Sequence, residues 1–409
     1  MDEQINGPLA GVRVIDLTSI FMGPFATQML GDFGADVIKV EPILGDVVRA
    51  VGPHGDHGMG AIFLHANRNK RSIALNLKAK EGLQALLALV KQADVLVYSI
   101  RPDAMNRLGL GYDKLREVNA RIIYVGAFGF SQRGPYASAP ALDDAIQAAI
   151  ALPHAALMNG SNQPRYAPVT IVDRSVGLYT MGVVCAALYA RERTGVGQAV
   201  DVPMFETMTH YIFSDHLYGH TFVPAEGDFG YPRLLNTHRR PYKTKDGYAC
   251  IVVYSDANWR HFLDLIGKAE LLQTDPRLHD LTTRTKHSED IYKFVADELE
   301  KRTTAEWQAV LRPLGIPFFP MHTFESLLED EHLAAIGFFQ EVEHPTEGRI
   351  RMMACPSEWS ETHPGLRYLA PRLGEHSREI LLEAGYQPAE IDALVAAGVT
   401  YEAGPAPHQ

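Results

Sequence analysis

Apolar runs and helical periodicities alternate along the N-terminal part of the chain. Residues 12–17 predict a buried strand, and a helix is predicted to begin at Pro24 and to end at Gly34. Proline suits the first turn of a helix, and glycine suits its C-terminal cap. Residues 35–40 predict a second strand. Strand, helix and strand within roughly thirty residues form a βαβ unit, which implies parallel strands and a right-handed crossover.

The same alternation continues downstream. Residues 81–91 place leucines at helical spacing, and residues 95–98 and 122–125 predict two more strands. Residues 170–205 form one block, in which a long buried helix with a C-cap at Gly195 is predicted before a strand at 198–204. Together these elements predict an α/β fold whose large domain has an open, doubly wound, Rossmann-like sheet.

A chain of 409 residues is longer than a domain with a single hydrophobic core usually is, so two domains are predicted. Residues 1–210 are predicted to form the N-terminal part of the large domain. An aromatic- and histidine-rich stretch without clear periodicity predicts a linker at residues 211–239. Residues 240–330 combine a strand near 248–254 with helical patterns, which predicts a smaller α+β domain.

Composition narrows the class of protein. Apolar residues make up 46% and charged residues 21%, which is an ordinary globular balance. The net charge of −11 argues against a nucleic-acid partner, because phosphate binding requires a basic face. Three widely spaced cysteines disfavour a disulfide framework. The N-terminus lacks signal-peptide features, and residues 175–190 are too short to cross a bilayer, so a soluble, cytoplasmic protein without a membrane partner is expected.

Three common kinds of active site are disfavoured by the sequence. The turn at residues 18–24 holds one glycine and no GxGxxG, so dinucleotide binding is weakly supported. Residues 129–133 lack the last glycine of a GxSxG nucleophile elbow. His54, Asp56 and His57 lie in a Gly/Pro-rich loop without an HExxH helix, so no metal site is predicted.

Two features point to chemistry of another kind. Residues 67–71 are basic and precede a strand-like run, and Arg101 and Arg107 follow the next strand. These cations suit either phosphate binding or ordinary solvation. Asp173 directly precedes the predicted buried helix, where it suits either a plain N-cap or an ionised nucleophile favoured by the helix dipole.

Ordered sequence blocks around these residues resemble family III CoA-transferases, the group that includes formyl-CoA:oxalate and carnitine CoA-transferases. The resemblance covers nearly the whole chain. The blocks are PLAGVRVIDLT at 8–18, GP at 23–24, GADVIKVEP at 34–42, GD at 45–46 with Arg49, NRNKRSIALNLK at 67–78, ADVLV at 93–97 with Arg101 and Pro102, RLGL at 107–110, Asp173 with RTGVGQAVDV at 193–202, and APRLGEHS at 370–377.

The resemblance implies a large domain built from both chain ends, with residues 331–409 as a return linker and its C-terminal part. It also implies an interlocked, ring-like homodimer and assigns coenzyme A (CoA) contacts by position. Those positions are Ile20, Phe21, Leu75, Asn76, Leu77, Lys78, Ser99, Ile100, Arg101 and Arg107.

The activity implied by the resemblance is transfer of CoA from an acyl-CoA to a carboxylic acid, with Asp173 as the covalent nucleophile. Acyl-CoA and CoA are then substrates, and no tightly bound cofactor is expected. An acyl-CoA racemase is the nearest alternative, but related racemases use a His where residues 141–144 read Ala-Leu-Asp-Asp. A non-catalytic acyl-CoA-binding protein is the third reading.

The acid substrate is suggested by one loop. Formyl-CoA transferases have a glycine run at the start of the small domain, whereas residues 235–240 here read Leu-Asn-Thr-His-Arg-Arg. We hypothesise that His238, Arg239 or Arg240 pairs with the distal carboxylate of a dicarboxylic acid such as succinate. The alternative is an ordinary solvated loop.

Overall fold

The computed structural model describes residues 7–54 and 58–404, so Asp56 and His57, two of the possible metal ligands in the Gly/Pro-rich loop, lie outside the described residues. The strands are β1 (Arg13–Leu17), β2 (Asp36–Glu41), β3 (Lys70–Leu75), β4 (Val95–Tyr98), β5 (Ile123–Phe128), β6 (Ala199–Pro203), β7 (Tyr242–Lys243), β8 (Tyr248–Ile251), β9 (Phe318–Pro320), β10 (Phe339–His344), β11 (Gly348–Met353) and β12 (Thr400–Tyr401).

The α-helices alternate with these strands in the N-terminal half and cluster between β8 and β10. They are α1 (Met22–Asp32), α2 (Ala61–Ala66), α3 (Lys80–Val90), α4 (Pro102–Arg107), α5 (Tyr112–Val118), α6 (Asp143–Ala149), α7 (Leu152–Met158), α8 (Ile171–Thr194), α9 (Met204–His216), α10 (Asp256–Leu265), α11 (Leu271–Thr274), α12 (Leu281–Lys286), α13 (Ser288–Leu299), α14 (Thr304–Leu311), α15 (Phe324–Leu328), α16 (Glu331–Ala335), α17 (Ser377–Glu383) and α18 (Pro388–Ala396).

A seven-stranded sheet with the order β12-β3-β2-β1-β4-β5-β6 dominates the fold. Strands β1 to β6 pair in parallel, and only β12 runs antiparallel, on β3. The α/β class with a large parallel sheet is therefore confirmed. The chain winds from β1 through β2 to β3, and then returns to the other side of β1 with β4. Such a reversal leaves a crevice at the carboxyl ends of β1 and β4, where open α/β sheets bind ligands.

The two faces of this sheet are covered by different helices. Alternate residues such as Ile15, Ile38 and Leu96 pack with helices α3, α5, α17 and α18 in one continuous apolar core. Helices α1 and α8 pack against each other and contact the sheet strands. The C-terminal segment completes the sheet, because Thr400 pairs with Leu75 in β3. Apolar side chains alternate between faces along a strand, so a sheet covered on both sides requires continuous apolar runs.

Helix α8, with 24 residues, is long and apolar enough to span a membrane by length and composition alone. It carries two buried charged residues, Asp173 and Arg191, and the latter pairs with Asp94 at 2.8 Å. Its contact with α1 is close: a Cβ on Gly177 would lie 2.9 Å from the backbone oxygen of Met22. These features are those of a core helix that packs within its own unit.

The basic block at residues 67–71 is a buried structural network. Lys70 lies 2.9 Å from Asp16, with both side chains fully buried, and Arg68 lies 2.7 Å from Asp32. Arg71 contacts three carboxylates at 2.7 to 2.8 Å. Burial alone would raise the pKa of Asp16, but the neighbouring lysines and hydroxyl donors lower it to about 2. These side chains are therefore neither solvated nor free to bind phosphate.

Two compact units share the chain. The first unit comprises Met1–Ile146, Pro168–Met208 and Glu331–Gln409, and the second comprises Gln147–Ala167 and Thr209–Asp330. In the second unit, β7, β8 and β9 form an antiparallel sheet over a core of aromatic and aliphatic side chains. The strand expected near 248–254 ends at Ile251, and the capping box at Ser255 starts the next helix.

The predicted domain boundaries differ from this division at two places. Residues 147–167 were expected in the large domain, but they belong to the second unit, where the Asn159 amide donates to the backbone oxygens of Leu234 and Asn236. The linker predicted at 211–239 begins inside helix α9, which continues to His216. The weak periodicity of that stretch hid the helix, because its apolar residues do not form one clean stripe.

Candidate active site

A cleft of about 240 Å³ opens where β1, β4, β5 and β6 end. It therefore lies at the carboxyl ends of parallel strands, and it includes the loops on both sides of the β1–β4 reversal. The lining residues are Ser19, Ile20, Phe21, Met22, Ser99, Arg101, Pro102, Ala127, Phe128, Gly129, Phe130, Gln132, Ala137, Ala139, Pro140, Ala141, Leu142, Asp173 and Met204.

The loop after β1 is tightly constrained. The Asp16 carboxylate accepts from both the backbone N–H and the hydroxyl of Thr18, at 2.9 and 2.5 Å. A Cβ on Gly23 would lie 2.3 Å from the side chain of Thr18, so only glycine fits there. Ile20 adopts a φ of 70° and donates its N–H to Asp46. A β-branched residue in the left-handed region is strained, and such strain is concentrated at functional sites.

The loop after β4 faces the loop after β1 across the reversal. The backbone N–H of Ser19 donates to the hydroxyl of Ser99 at 3.1 Å, which joins the two loops. Arg101 follows as the N-cap residue of α4, with Pro102 at the first helical position. The guanidinium of Arg101 is exposed at the cleft and is therefore available to an anionic ligand.

Asp173 lies in the first turn of α8, and its side chain is one of the cleft walls. Helix α8 begins at Ile171, so Asp173 is not the N-cap residue that the sequence suggested. Thr170 holds the N-cap position but makes no capping bond with its side chain. Instead, the carboxylate of Asp143 accepts from the backbone N–H groups of Val172 and Asp173, at 2.9 and 3.0 Å. Asp143 thus caps the helix that carries Asp173.

Residue Asp173 is only 8% exposed, and the ionisation of its carboxyl group is strongly perturbed. Burial raises its pKa, the negative charge of Asp143 raises it further, and Arg174 opposes both, which leaves a pKa of about 7. At neutral pH the group is therefore shared between its protonated and ionised forms. The helix dipole alone had suggested a carboxylate that stays ionised, and desolvation reverses that expectation.

Arg174 is a neighbour that sequence reasoning missed. Its guanidinium lies over the ring of Phe25, 4.5 Å from the centroid, and 5.7 Å from the centroid of Phe21. Burial lowers the pKa of this arginine, while Asp173 raises it. The sequence contains one signal for this neighbour, because Arg174 directly follows the candidate nucleophile. Its contact with two phenylalanines at the start of α1 is visible only in the fold.

The predicted CoA contacts divide into two groups. Ile20, Phe21, Ser99 and Arg101 line the same cleft as Asp173. The others lie outside its lining. Leu75, Asn76, Leu77 and Lys78 lie at the end of β3 and just beyond it, Ile100 packs against the sheet core, and Arg107 is exposed at the end of α4. A CoA contact at each of these positions stays a prediction.

The three residues predicted to bind a distal carboxylate lie in the second unit. Arg239 and Arg240 are exposed and line a second cavity of about 290 Å³. His238 is half-buried outside that lining, and its backbone N–H donates to the side-chain oxygen of Asn236 at 2.7 Å. Their role in substrate binding also stays a prediction.

Other side-chain chemistry at the cleft is limited. Within residues 7–54 and 58–404, no group of three or more His, Cys, Asp or Glu residues has an arrangement that holds a metal ion. None of the described lining residues of the cleft is a histidine. A two-base proton transfer of the racemase kind therefore lacks an imidazole partner for Asp173 in the described lining.

Comparison with known proteins finds similarity to CoA-transferases over most of the chain. The family model for CoA-transferase family III matches residues 9–377. An acyl-CoA transferase from Fusarium pseudograminearum is 35% identical over 397 residues, which cover 94% of this chain and 87% of that protein. The human succinyl-CoA:glutarate CoA-transferase is 29% identical, with 96% and 90% covered. A formyl-CoA:oxalate CoA-transferase from Escherichia coli O6:H1 is 32% identical, with 95% and 99% covered.

Solved structures with this fold support the same grouping. Rv3272 from Mycobacterium tuberculosis superimposes with a TM-score of 0.78 at 28% sequence identity, covering 91% of this chain and 98% of that one. A CAIB/BAIF family protein from Brucella suis gives a TM-score of 0.75, also at 28% identity, with 93% and 100% covered.

Proposed function

This chain belongs to CoA-transferase family III and is a CoA-transferase, and from that premise we propose that Asp173 is its covalent nucleophile. The observation that carries the proposal is a buried carboxyl group, with a pKa of about 7, that faces a cleft at the carboxyl ends of parallel strands. A raised pKa makes the ionised form a better nucleophile, while leaving a usable ionised fraction at neutral pH.

The chemistry proceeds by exchange at carbonyl carbons. A carboxylate oxygen of Asp173 attacks the thioester carbonyl, the C–S bond breaks, and CoA leaves as a thiolate. The thiolate then attacks the aspartyl carbonyl of the mixed anhydride and releases the donor acid, which leaves an aspartyl-CoA thioester. The acceptor carboxylate attacks that thioester, CoA leaves again, and its thiolate attacks the new acyl carbonyl. This last step forms the product acyl-CoA and regenerates the Asp173 carboxylate.

Exclusion of water is essential, because activated aspartyl species hydrolyse easily. The low exposure of Asp173 supports such exclusion. Asp143 positions the attacking group, since its two hydrogen bonds hold the first turn of α8. We assign it as a positioning residue rather than as a group that reacts.

Coenzyme A is proposed to lie along the loops after β1 and β4. Ile20 and Phe21 offer apolar contacts, Ser99 offers a hydroxyl, and Arg101 offers a guanidinium to the phosphates. The remaining positions carried over from the resemblance are proposed as outer contacts of the same ligand. They are Leu75, Asn76, Leu77, Lys78, Ile100 and Arg107.

We propose a dicarboxylic acid, such as succinate or glutarate, as one substrate, with His238, Arg239 or Arg240 as candidate partners of its distal carboxylate. Two observations support this substrate class. Several relatives are named for succinyl-CoA and glutarate, and the loop at 235–240 is cationic rather than glycine-rich. No tightly bound cofactor is needed. We also propose that the protein is an interlocked homodimer located in the cytoplasm. Native mass spectrometry tests the dimer, and cell fractionation tests the location.

The mechanism is tested by intact-protein mass spectrometry after incubation with a panel of acyl-CoAs, followed by hydroxylamine trapping. Hydroxylamine should convert Asp173 into its hydroxamate, and peptide mapping should locate the adduct there. Labelling should disappear in Asp173→Ala and persist in Asp144→Ala, which removes an exposed carboxylate of α6 as a matched control. An active enzyme that is never labelled, and that exchanges substrate α-protons with deuterated water, would instead be a racemase.

A further inference from the structure

The second unit contains a cavity of about 290 Å³ whose lining shares no residue with the lining of the cleft around Asp173. Its size is close to the lower end of the range for small-molecule sites. The lining consists of Arg233, Arg239, Arg240, Pro241, Tyr242, Cys250, Ile251, Val252, Val253, Tyr254, Trp259, Tyr292 and Val295.

Three arginines give this cavity its charge. In the part of the chain that the structure describes, none of Arg233, Arg239 and Arg240 lies within salt-bridge distance of a carboxylate, and no Asp or Glu lines the cavity. Three neighbouring cations without local anions create a positive potential, which favours an anionic ligand. A guanidinium also matches a carboxylate or a phosphate in a two-pronged hydrogen bond.

Arg233 is the most firmly positioned of the three. Its Nε donates to the hydroxyl of Tyr292 at 2.9 Å, and its guanidinium lies 5.6 Å from the centroid of the Tyr254 ring. The side chain is half-buried, so its direction is fixed by these two tyrosines. The side chain of Tyr231 also interacts with this guanidinium. A guanidinium carries five N–H donors, so these tyrosine contacts leave donors for a bound anion.

Another part of the cavity wall is apolar. Tyr242, Ile251, Trp259 and Val295 are buried members of the second-unit core, and their side chains line the cavity. A ligand that fits has a charged end for the arginines and a short hydrocarbon body for this wall. Inorganic anions lack the body, and neutral molecules lack the charge.

We propose that this cavity binds a small organic carboxylate, with its carboxylate on Arg233 and its carbon chain against the apolar wall. The site lies wholly in the second unit, and the proposal does not depend on covalent chemistry at Asp173. A short dicarboxylate fits this description, and inorganic phosphate is the competing anion that shares the guanidinium chemistry but not the hydrocarbon body.

Cys250 provides a local reporter, because it is exposed and lines the cavity, whereas the free thiol of Cys355 lies in the first unit. Both thiols are alkylated in the full-length protein with anionic iodoacetate or neutral iodoacetamide, and peptide mass spectrometry gives each rate. For each thiol, the rate with iodoacetate is divided by the rate with iodoacetamide, and this ratio removes the difference in intrinsic reactivity between the two thiols. At low salt this ratio should be about tenfold higher at Cys250 than at Cys355, and the excess should fall in high salt.

Ligand protection tests the chemical class. Glutarate should slow alkylation of Cys250 by iodoacetamide and leave Cys355 unchanged, and phosphate should protect far less. Arg233→Met should abolish the protection and lower the rate-ratio excess, because Arg239 and Arg240 remain, while Arg233→Lys, which keeps the charge, should retain the excess. Protection should survive in Asp173→Ala, which separates this site from the transferase chemistry.

Three results overturn the proposal. Equal rate ratios at the two cysteines would show that the cavity has no useful positive potential. Equal protection by phosphate and glutarate would show an anion site without preference for an organic body. Protection by glutarate that is lost in Asp173→Ala but kept in Arg233→Met would assign the effect to the catalytic cleft instead.

Discussion

Replacement of Asp173 by asparagine should stabilise the protein, and the gain should increase with pH. The reason is the raised pKa of this buried carboxyl group, which is about 7 instead of its ordinary 3.8. Between these values the native state holds a proton that the unfolded state has released. Stability of the native state therefore falls as the pH rises through this window, which is opposite to the usual behaviour of a salt-bridged aspartate.

The magnitude follows from the difference between the two pKa values. A pKa of about 7 against 3.8 corresponds to about 4 kcal/mol of destabilisation once the pH exceeds both values. Asparagine has nearly the same size and stays neutral, so it removes this penalty. We expect the stability gain of Asp173→Asn to grow from about 2 kcal/mol at pH 5 to about 4 kcal/mol at pH 8.

Urea unfolding of the wild type and of Asp173→Asn at pH 5 and pH 8 measures the effect. Asp144→Asn is the matched control, because it removes an exposed carboxylate from the nearby helix α6 and should show no gain that grows with pH. A constant difference across the two pH values would mean that Asp173 titrates normally in the native protein. The desolvation argument would then be wrong, and so would the pH dependence expected for the enzyme.

The remaining predictions concern the same site and its support. Asp143→Asn keeps an oxygen for the helix N–H groups but removes a charge that raises the pKa of Asp173, so the acid limb of the pH profile of kcat/KM should move to lower pH. Lys70→Met removes the salt-bridge partner of the fully buried Asp16 and should lower the unfolding free energy by about 3 kcal/mol in urea titrations. Arg101→Ala should raise KM for the acyl-CoA about tenfold with little change in kcat, and an unchanged KM would remove Arg101 from the CoA site.

Local sequence patterns were sufficient to predict much of the large sheet. The strand predicted at 95–98 coincides with β4, and the helix predicted at 81–91 differs from α3 by one residue at each end. Fully buried parallel strands produce continuous apolar runs, and these are easily read from sequence. The segment at 147–167 was misassigned because its place depends on hydrogen bonds to residues 234 and 236, which no local pattern announces.

The basic block shows a different limit. Residues 67–71 look like a surface cluster because lysine and arginine are usually exposed. Their burial depends on carboxylates that other elements supply: Asp16 comes from β1 and Asp32 from α1. Charges far apart in sequence meet only when the strands are paired in the correct order. The nature of the cluster therefore follows from topology, and composition alone cannot distinguish a phosphate site from a buried ion-pair network.

Sequence reasoning pointed to Asp173 as the candidate nucleophile, but it missed the role of Asp143, thirty positions earlier, in the ionisation of Asp173. In the sequence, Asp143 appeared only as part of the segment 141–144, which lacks the histidine of related racemases, whereas in the fold its carboxylate caps α8 and raises the pKa of Asp173. A serine or threonine cap would satisfy the same N–H groups without adding a negative charge. The carboxylate cap therefore has two effects, because it fixes the position of Asp173, the proposed nucleophile, and raises the pKa of Asp173. If the pH profile of Asp143→Ser shifts while the helix stays intact, position and ionisation are separable, and the charge of the cap is a functional feature of this site.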